Sequence, residues 1–258
     1  MLEKNGVYLS GIICILVLVV FCNKLMVAQD NIQLGVHLNP TVSVPHPTTT
    51  TVYDHDFHSL RPGVGFKTGV NFNLRTSYGI GLRTGFSYVY KKYYLIQTSV
   101  GGPKIPGYIR TFIQSDVIEL PIIASFSFKK VADDKIWINT FAGITMDWTF
   151  GVGVGNKIGD GCIFEPLGKI YLESDPQFIF VREKSNSILL GASIIKPLQN
   201  KRLIEVGISY HHDLQKNHTI DINNYVEIDD ISYGTFNASL NPIQSYFSID
   251  FAFYPLVY

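Results

Sequence analysis

PGVGFKTGVNFNL (residues 62–74) and YGIGLRTGFSYVY (residues 78–90) decide the fold. In the first run Val64, Phe66, Val70, Phe72 and Leu74 share one parity, and Gly63, Gly65, Lys67, Gly69, Asn71 and Asn73 share the other. In the second, Ile80, Leu82, Phe86, Tyr88 and Tyr90 alternate with Gly79, Gly81, Arg83, Gly85 and Ser87. A period of two puts one set on each face of a β-strand. Only Arg75-Thr76-Ser77 separates the runs, a link of hairpin length.

Six more segments carry the pattern: Ile32–Val44, Asp116–Phe128, Lys135–Phe150, Ser187–Pro197, Arg202–His212 and Ile243–Pro255. Their apolar parity holds residues such as Val36, Leu38, Ile118, Leu120, Ile144, Ile188, Val206 and Phe251, while Trp137 and Phe141 fall on the polar parity of the fifth strand. The links after strands two, four and six are short, near Thr76, Asp133 and Asn200, and the others are long. An even strand count with short turns on one side and long loops on the other is the arrangement of outer-membrane barrels. The expectation is an all-β fold, an eight-stranded antiparallel transmembrane β-barrel of outer-membrane type with long extracellular loops. The longest loop, about Gly151 to Asn186, is more than a compact domain tolerates without structure, and Phe178-Ile179-Phe180-Val181 within it reads as a strand extension above the membrane.

Bulk properties agree. Charged residues make up 16% of the 258, and formal net charge is zero. Nothing in that balance points to nucleic acid. Aromatics reach 13%, with 22 glycines. Lys4 precedes the apolar run Ile12–Cys22, and Val27-Ala28-Gln29 offers a cleavage point after Ala28. This divides the chain into a signal peptide, residues 1–28, and a barrel domain, residues 29–258. The run is about half the ~20 residues of a spanning helix. Cys14 and Cys22 leave with the signal, so Cys162 is alone in the mature part and no intrachain disulfide is expected.

The polar parity carries ionisable groups from seven strands: His37, Lys67, Arg83, Glu119, Asp147, Glu205 and Asp250. An eight-stranded barrel is only wide enough inside for side chains, and unpaired buried charge is costly. These seven are therefore expected to form a lumen network of ion pairs and hydrogen bonds that plugs the barrel. Gly79-Ile80-Gly81 with Gly85 lacks the strand-turn-helix setting of a nucleotide fingerprint. Asp54-His55-Asp56 with His58 could offer imidazole and carboxylate ligands to a surface metal, in a first loop that also holds His46. His211 and His212 have opposite parity and cannot share one ion. No catalytic residue, cofactor or metal is assigned. Tyr88, Tyr90, Tyr93 and Tyr94 with Lys91 and Lys92, together with Trp148, Phe150 and Tyr210, are expected to form an upper interfacial girdle, and Phe128 and Phe253 a lower one.

Val117-Ile118-Glu119-Leu120-Pro121-Ile122-Ile123 resembles the strand-four segment of the PorT-like outer-membrane β-barrel domain family of the Bacteroidetes. The Val27-Ala28-Gln29 signal end, the paired glycine-rich strands and the aromatic final strand extend the likeness over nearly the whole mature chain. A bulge or bend is expected at Pro121, which lacks a ladder N–H. The resemblance implies an outer-membrane location and an association with type IX secretion. It also implies partners: outer-membrane lipid, the barrel insertion machinery, and a secretion-complex or extracellular protein. Pro255 interrupts the aromatic ending that such insertion signals have. Three functions remain in competition: a non-enzymatic barrel binding through its loops, a membrane-embedded hydrolase or acyltransferase at the outer rim, and a soluble secreted ligand-binding barrel.

Overall fold

The computed structural model describes residues 31–51, 58–76, 78–98, 108–129, 136–154, 161–163, 170–180, 183–200, 202–215, 218–228 and 231–257. The proposed signal peptide and Asp54 to Asp56 lie outside them. Eleven strands form one antiparallel sheet. They are β1 (Asn31–Thr51), β2 (His58–Arg75), β3 (Ile80–Thr98), β4 (Tyr108–Lys129), β5 (Trp137–Val154), β6 (Gly161–Ile163), β7 (Ile170–Phe180), β8 (Lys184–Pro197), β9 (Leu203–Asp213), β10 (His218–Ile228) and β11 (Ile231–Val257). The sheet closes because β1 pairs with β2 on one side and with β11 on the other, from Gln33↔Val257 to Thr51↔Ser239. Eight staves surround the axis in the order β1-β2-β3-β4-β5-β8-β9-β11. Closure gives every stave two neighbours, which removes the sheet edge.

The other three strands carry the wall upward. β6, β7 and β10 adjoin β5, β8 and β9 in sequence and repeat their neighbour order: β6 with β7, β7 with β10, β10 with β11. β11 is 27 residues long, whereas about ten span a bilayer. Much of what the sequence marked as long extracellular loop is therefore strand, including Ile170–Phe180 inside the longest one. Alternation reports a wall between two unlike environments. Above an apolar belt that contrast fades while backbone pairing continues, so the sequence pattern stops before the strands do.

Within the barrel the alternation is nearly unbroken. Odd residues from Gln33 to Pro45 and from Gly63 to Arg75 point inward. Outward neighbours stay exposed, Leu38 at 62%, Val64 at 67% and Ile208 at 67%. Inward glycines make room for large rings. Gly191 is one, because any side chain there would run into the Phe141 ring.

Pro121 does not produce the expected bulge. The ladder to β3 lapses opposite Gly85 and Phe86 but resumes in the same register, from Thr84↔Ile122 to Ser87↔Glu119. The register slip of β4 lies earlier, between Asp116 and Val117 against β5. A missing N–H removes one bond without inserting a residue, so register survives.

The lower turns have local causes. In the β2–β3 turn, Gly79 N–H donates to the Thr76 carbonyl at 3.0 Å, and Thr76 N–H to the Ile80 carbonyl at 2.8 Å. Gly79 has φ +83° there, and Asn200 has φ 60° in the β8–β9 turn. Gly79→Ala should lower folding stability by about 1–2 kcal/mol from the left-handed backbone alone, with a further loss because a Cβ meets the Ser127 carbonyl. Asn200→Gly should change it by only a few tenths. Denaturant titration of folding into lipid vesicles checks both.

Candidate functional site: the polar lumen

The interior of the barrel is the reverse of a soluble core. Among the described residues, polar and charged side chains outnumber apolar ones inside, while the large apolar residues face out. All seven ionisable residues singled out from sequence point inward. They fall into tiers rather than one cluster.

The lower tier centres on Glu205, on β9. It accepts Arg83 Nη2 on both oxygens at 2.7 Å, Ser193 Oγ at 2.5 Å and Tyr254 OH at 2.8 Å. Arg83 also lies 5.3 Å from the centroid of the Phe141 ring. Beneath it, Ile195, Leu203, Ala252 and Tyr254 make a small apolar floor with Trp137 packed against it. The Arg75 guanidinium sits 4.8 Å from the Trp137 ring centroid.

In the middle tier Glu119, on β4, takes Lys67 Nζ at 2.6 Å and Tyr246 OH at 2.6 Å. Tyr246 oxygen is also 2.8 Å from His211 Nδ1. Its single proton goes to the carboxylate, so His211 must donate from Nδ1. That leaves Nε2 as acceptor for Ser209 Oγ at 3.4 Å. The two rings stack, with centroids 4.1 Å apart and planes at 14°. His37 pairs through Nε2 with Ser87 Oγ at 3.2 Å. Asp250 accepts from Asn39 Nδ2 at 2.9 Å and Ser248 Oγ at 2.7 Å.

The upper tier joins two carboxylates through one hydroxyl. Lys91 Nζ donates to Asp213 at 3.2 and 3.3 Å. Ser187 Oγ contacts both Asp213, at 2.8 Å, and Asp147. Thr145 Oγ1 donates to the other oxygen of Asp147 at 2.7 Å. Asp147 thus meets hydroxyls, whereas Asp213 meets the cation.

Sequence reasoning missed Arg75, assigned to a turn, and Lys91 and Tyr93, assigned to the girdle. All three are buried inside. It also left Asp213, Tyr246 and Tyr254 outside the network. Parity alone would have found them, since Arg75 follows Asn71 and Asn73, Lys91 follows Ser87 and Val89, and Asp213 follows Ser209 and His211. The rest of the girdle lies outside: Tyr88 packs 6.2 Å from Phe150 and Tyr90 stacks 5.7 Å from Phe66. Of the first-loop histidines, His46 points outward, its ring 6.5 Å from that of His212. His211 faces the lumen and His212 the outside.

The arrangement binds charges to one another across the barrel. Lys67–Glu119, Arg83–Glu205 and Lys91–Asp213 each join staves that are not adjacent. A polar cavity of about 40 Å³ remains beside His37, Lys67, Arg83 and Asp250. That is room for about three waters at roughly 10–15 Å³ each, not for a channel.

No family model matches the chain, and no curated protein does. Among solved structures it is similar to the outer membrane protein OprG from Pseudomonas aeruginosa, at 7% identity over 87% of this chain and 95% of that one, with a TM-score of 0.40. It is similar to Neisserial surface protein A at 8% identity, 84% and 96% coverage and TM-score 0.32. For Ail, the attachment invasion locus protein of Yersinia pestis, the values are 8%, 87%, 97% and 0.24. At such values the likenesses bear on neither function nor partners.

Two outcomes follow from the pairing. Glu119→Leu strands Lys67 and should destabilise the barrel by about 3–5 kcal/mol, and adding Lys67→Met should restore most of that. Asp147→Asn should be nearly neutral, because an amide can still accept from Thr145 and donate to Ser187, while Asp213→Asn should cost several kcal/mol by leaving Lys91 unpaired. Equilibrium unfolding from vesicles, read by tryptophan emission, measures all four.

Proposed function

We propose that this chain is a non-enzymatic protein of the bacterial outer membrane that binds a partner through the wall and loops standing above the bilayer. The single observation carrying this is the radial inversion: apolar side chains project from every stave while the charged and polar ones point inside. A soluble secreted barrel needs the opposite distribution, since its outer face meets water, and a small apolar ligand would find a charged interior. Closure supplies the second support, because a strand in lipid must have every backbone group paired.

The activity belongs above the membrane. Among the described residues the lumen is filled apart from a cavity of about 40 Å³, which leaves no route along the axis there. Among the described residues the outer-rim enzyme alternative gains no set of convergent side chains: the outward His46 ring meets His212 edge-on at 6.5 Å, His212 stacks with Tyr210, and His212 Nδ1 meets Ser245 Oγ at 2.8 Å with Ser245 fully covered. What remains for recognition is the upper sheet of β6, β7, β10 and the first part of β11. The PorT-like resemblance of Val117–Ile123 favours a partner in type IX secretion, with residues 1–28 removed as a signal peptide.

Ile249→Arg, in the middle of the outward belt of β11, should weaken folding into vesicles by about 2–4 kcal/mol, the range for a cation at the bilayer midplane. Fractionation of cells should place the protein with the outer membrane, and its detergent-solubilised form should migrate differently before and after boiling. Recovery as a soluble periplasmic protein would overturn the proposal. Affinity capture of a tagged chain from intact outer membranes tests the partner: secretion-machinery subunits support the type IX association, and a barrel recovered alone refutes it. In planar bilayers the purified protein should show no open-pore current.

A further inference from the structure

A bulge in β2 re-aims one cation of the upper barrel. From Pro62 to Phe66 the strand takes one residue more than β3 takes from Tyr93 to Tyr90. An extra residue on one strand turns the side chains beyond it to the other face. Arg61 shares the odd parity of Gly63 and Gly65, which point inward, yet beyond the bulge it pairs with Tyr94. Directly paired residues share a face. Tyr94 is on the outside, because its neighbour Tyr93 is fully buried in the lumen. Arg61 is exposed there. Tyr94 pairs in turn with Phe112 on β4, so Arg61, Tyr94 and Phe112 form one outward row across three staves.

Lys92 lies one outward step below this row, on β3. Its amine is 4.2 Å from the centroid of the Phe112 ring and 5.4 Å from that of Tyr94, within the reach of cation–π attraction. The side chain therefore rises away from the apolar belt, as a lysine does when its charge seeks the interface. Ile80 to Tyr90 on the same strand has the length of about ten residues that crosses a bilayer. Tyr88 and Tyr90 end that span in the girdle with Phe66 and Phe150, so Lys92 and Arg61 stand at the level of the lipid head groups. The charge there is one-sided. Residues 58–66, 88–98 and 108–118 hold Arg61, Lys91, Lys92 and Arg110 against Asp116 as the one acid. Lys91 is committed to Asp213 inside, and Asp116 accepts from Tyr88 OH below. Among the described residues neither Arg61 nor Lys92 has a carboxylate partner.

We infer that Arg61 and Lys92 form a binding site for the phosphate of an anionic lipid in the outer leaflet. The guanidinium of Arg61 can take two phosphate oxygens at once. Lys92 adds a point charge already placed by the Tyr94 and Phe112 rings, so little side-chain freedom is lost when the phosphate arrives. Below the two cations the same face offers Val64, Phe66 and Tyr90 to acyl chains. Those contacts favour a lipid over a soluble phosphate. The site uses the membrane placement of the barrel and is independent of the partner proposed for the upper wall.

The test is native mass spectrometry of the folded protein released from detergent micelles containing phosphatidic acid. Diacylglycerol serves as the matching lipid without phosphate, and glycerol 3-phosphate as the same phosphate without chains. The protein should retain phosphatidic acid severalfold more than diacylglycerol, and excess glycerol 3-phosphate should not displace it. Lys92→Ala and Arg61→Ala should each weaken retention about fivefold, the effect of one basic residue at an anionic membrane surface. Lys92→Arg should keep most of it. Lys196→Ala, which removes an exposed cation at the opposite rim, should leave it unchanged. Equal retention of diacylglycerol overturns the site, and so does a Lys196→Ala effect as large as that of Lys92→Ala. Displacement by glycerol 3-phosphate overturns the lipid as occupant. An Arg61→Ala protein that binds as before overturns the role of the bulge. Boiling-dependent migration verifies that each variant is folded, and Lys92→Gln stands in if Lys92→Ala is not.

Discussion

The pairing of β1 with β11 is the constraint on which everything else rests. It joins the first and last staves of the barrel, Gln33 with Val257 and Val42 with Phe247. Until it forms, both strands present a row of unsatisfied backbone groups, which lipid does not tolerate. Once it forms, the staves have a common axis and the polar parity of each converges on one narrow space. The lumen network is a product of closure, since Lys67 meets Glu119, and Arg83 meets Glu205, only after the sheet has curled round. Such contacts are almost all long-range, and they reward the chain late in folding.

Convergence then imposes its own rule. Lys67, Arg75, Arg83 and Lys91 face Glu119, Asp147, Glu205, Asp213 and Asp250 in a space without bulk water. Lys67, Arg83 and Lys91 are each answered by a carboxylate, whereas Arg75 rests against the Trp137 ring. Glu205 and Glu119 show the strictest form, each holding a cation and a tyrosine hydroxyl together. Tyr246 and Tyr254 matter here because a phenol spans the barrel with an apolar body and delivers one donor at its far end. Asp147, whose neighbours are hydroxyls, is the member least dependent on a cation.

Much of this was legible in residues 62–90. Alternation there assigns Val64 and Phe72 to one side and Lys67 and Arg83 to the other, and the structure keeps every one of those sides. Strand number and short-turn parity followed from repeating the same reading. What stayed hidden has physical reasons. Arg75 and Lys91 lie where strand ends were drawn, and charge near an end looks like a turn or a girdle. β7 and β10 lie where the two faces no longer differ enough to leave a period. The ladder lapses beside Pro40 and Pro121 are equally invisible in sequence: each strand keeps its alternation through the proline, and in both cases the pairing resumes in the same register.

The cross-barrel ion pairs also govern how such a chain drifts over generations. A belt residue such as Ile208 or Val64 answers only to lipid, so one aliphatic or aromatic side chain can replace another singly. A lumen residue answers to a named opposite across the axis. Replacing Glu119 alone strands Lys67, so a viable lineage must change both members close together in time or neither. Two clocks therefore run in one polypeptide, a fast one on alternate positions facing outward and a slow, coupled one on the positions between. Overall identity between distant copies would average the two clocks, and the paired interior positions would hold kinship longest.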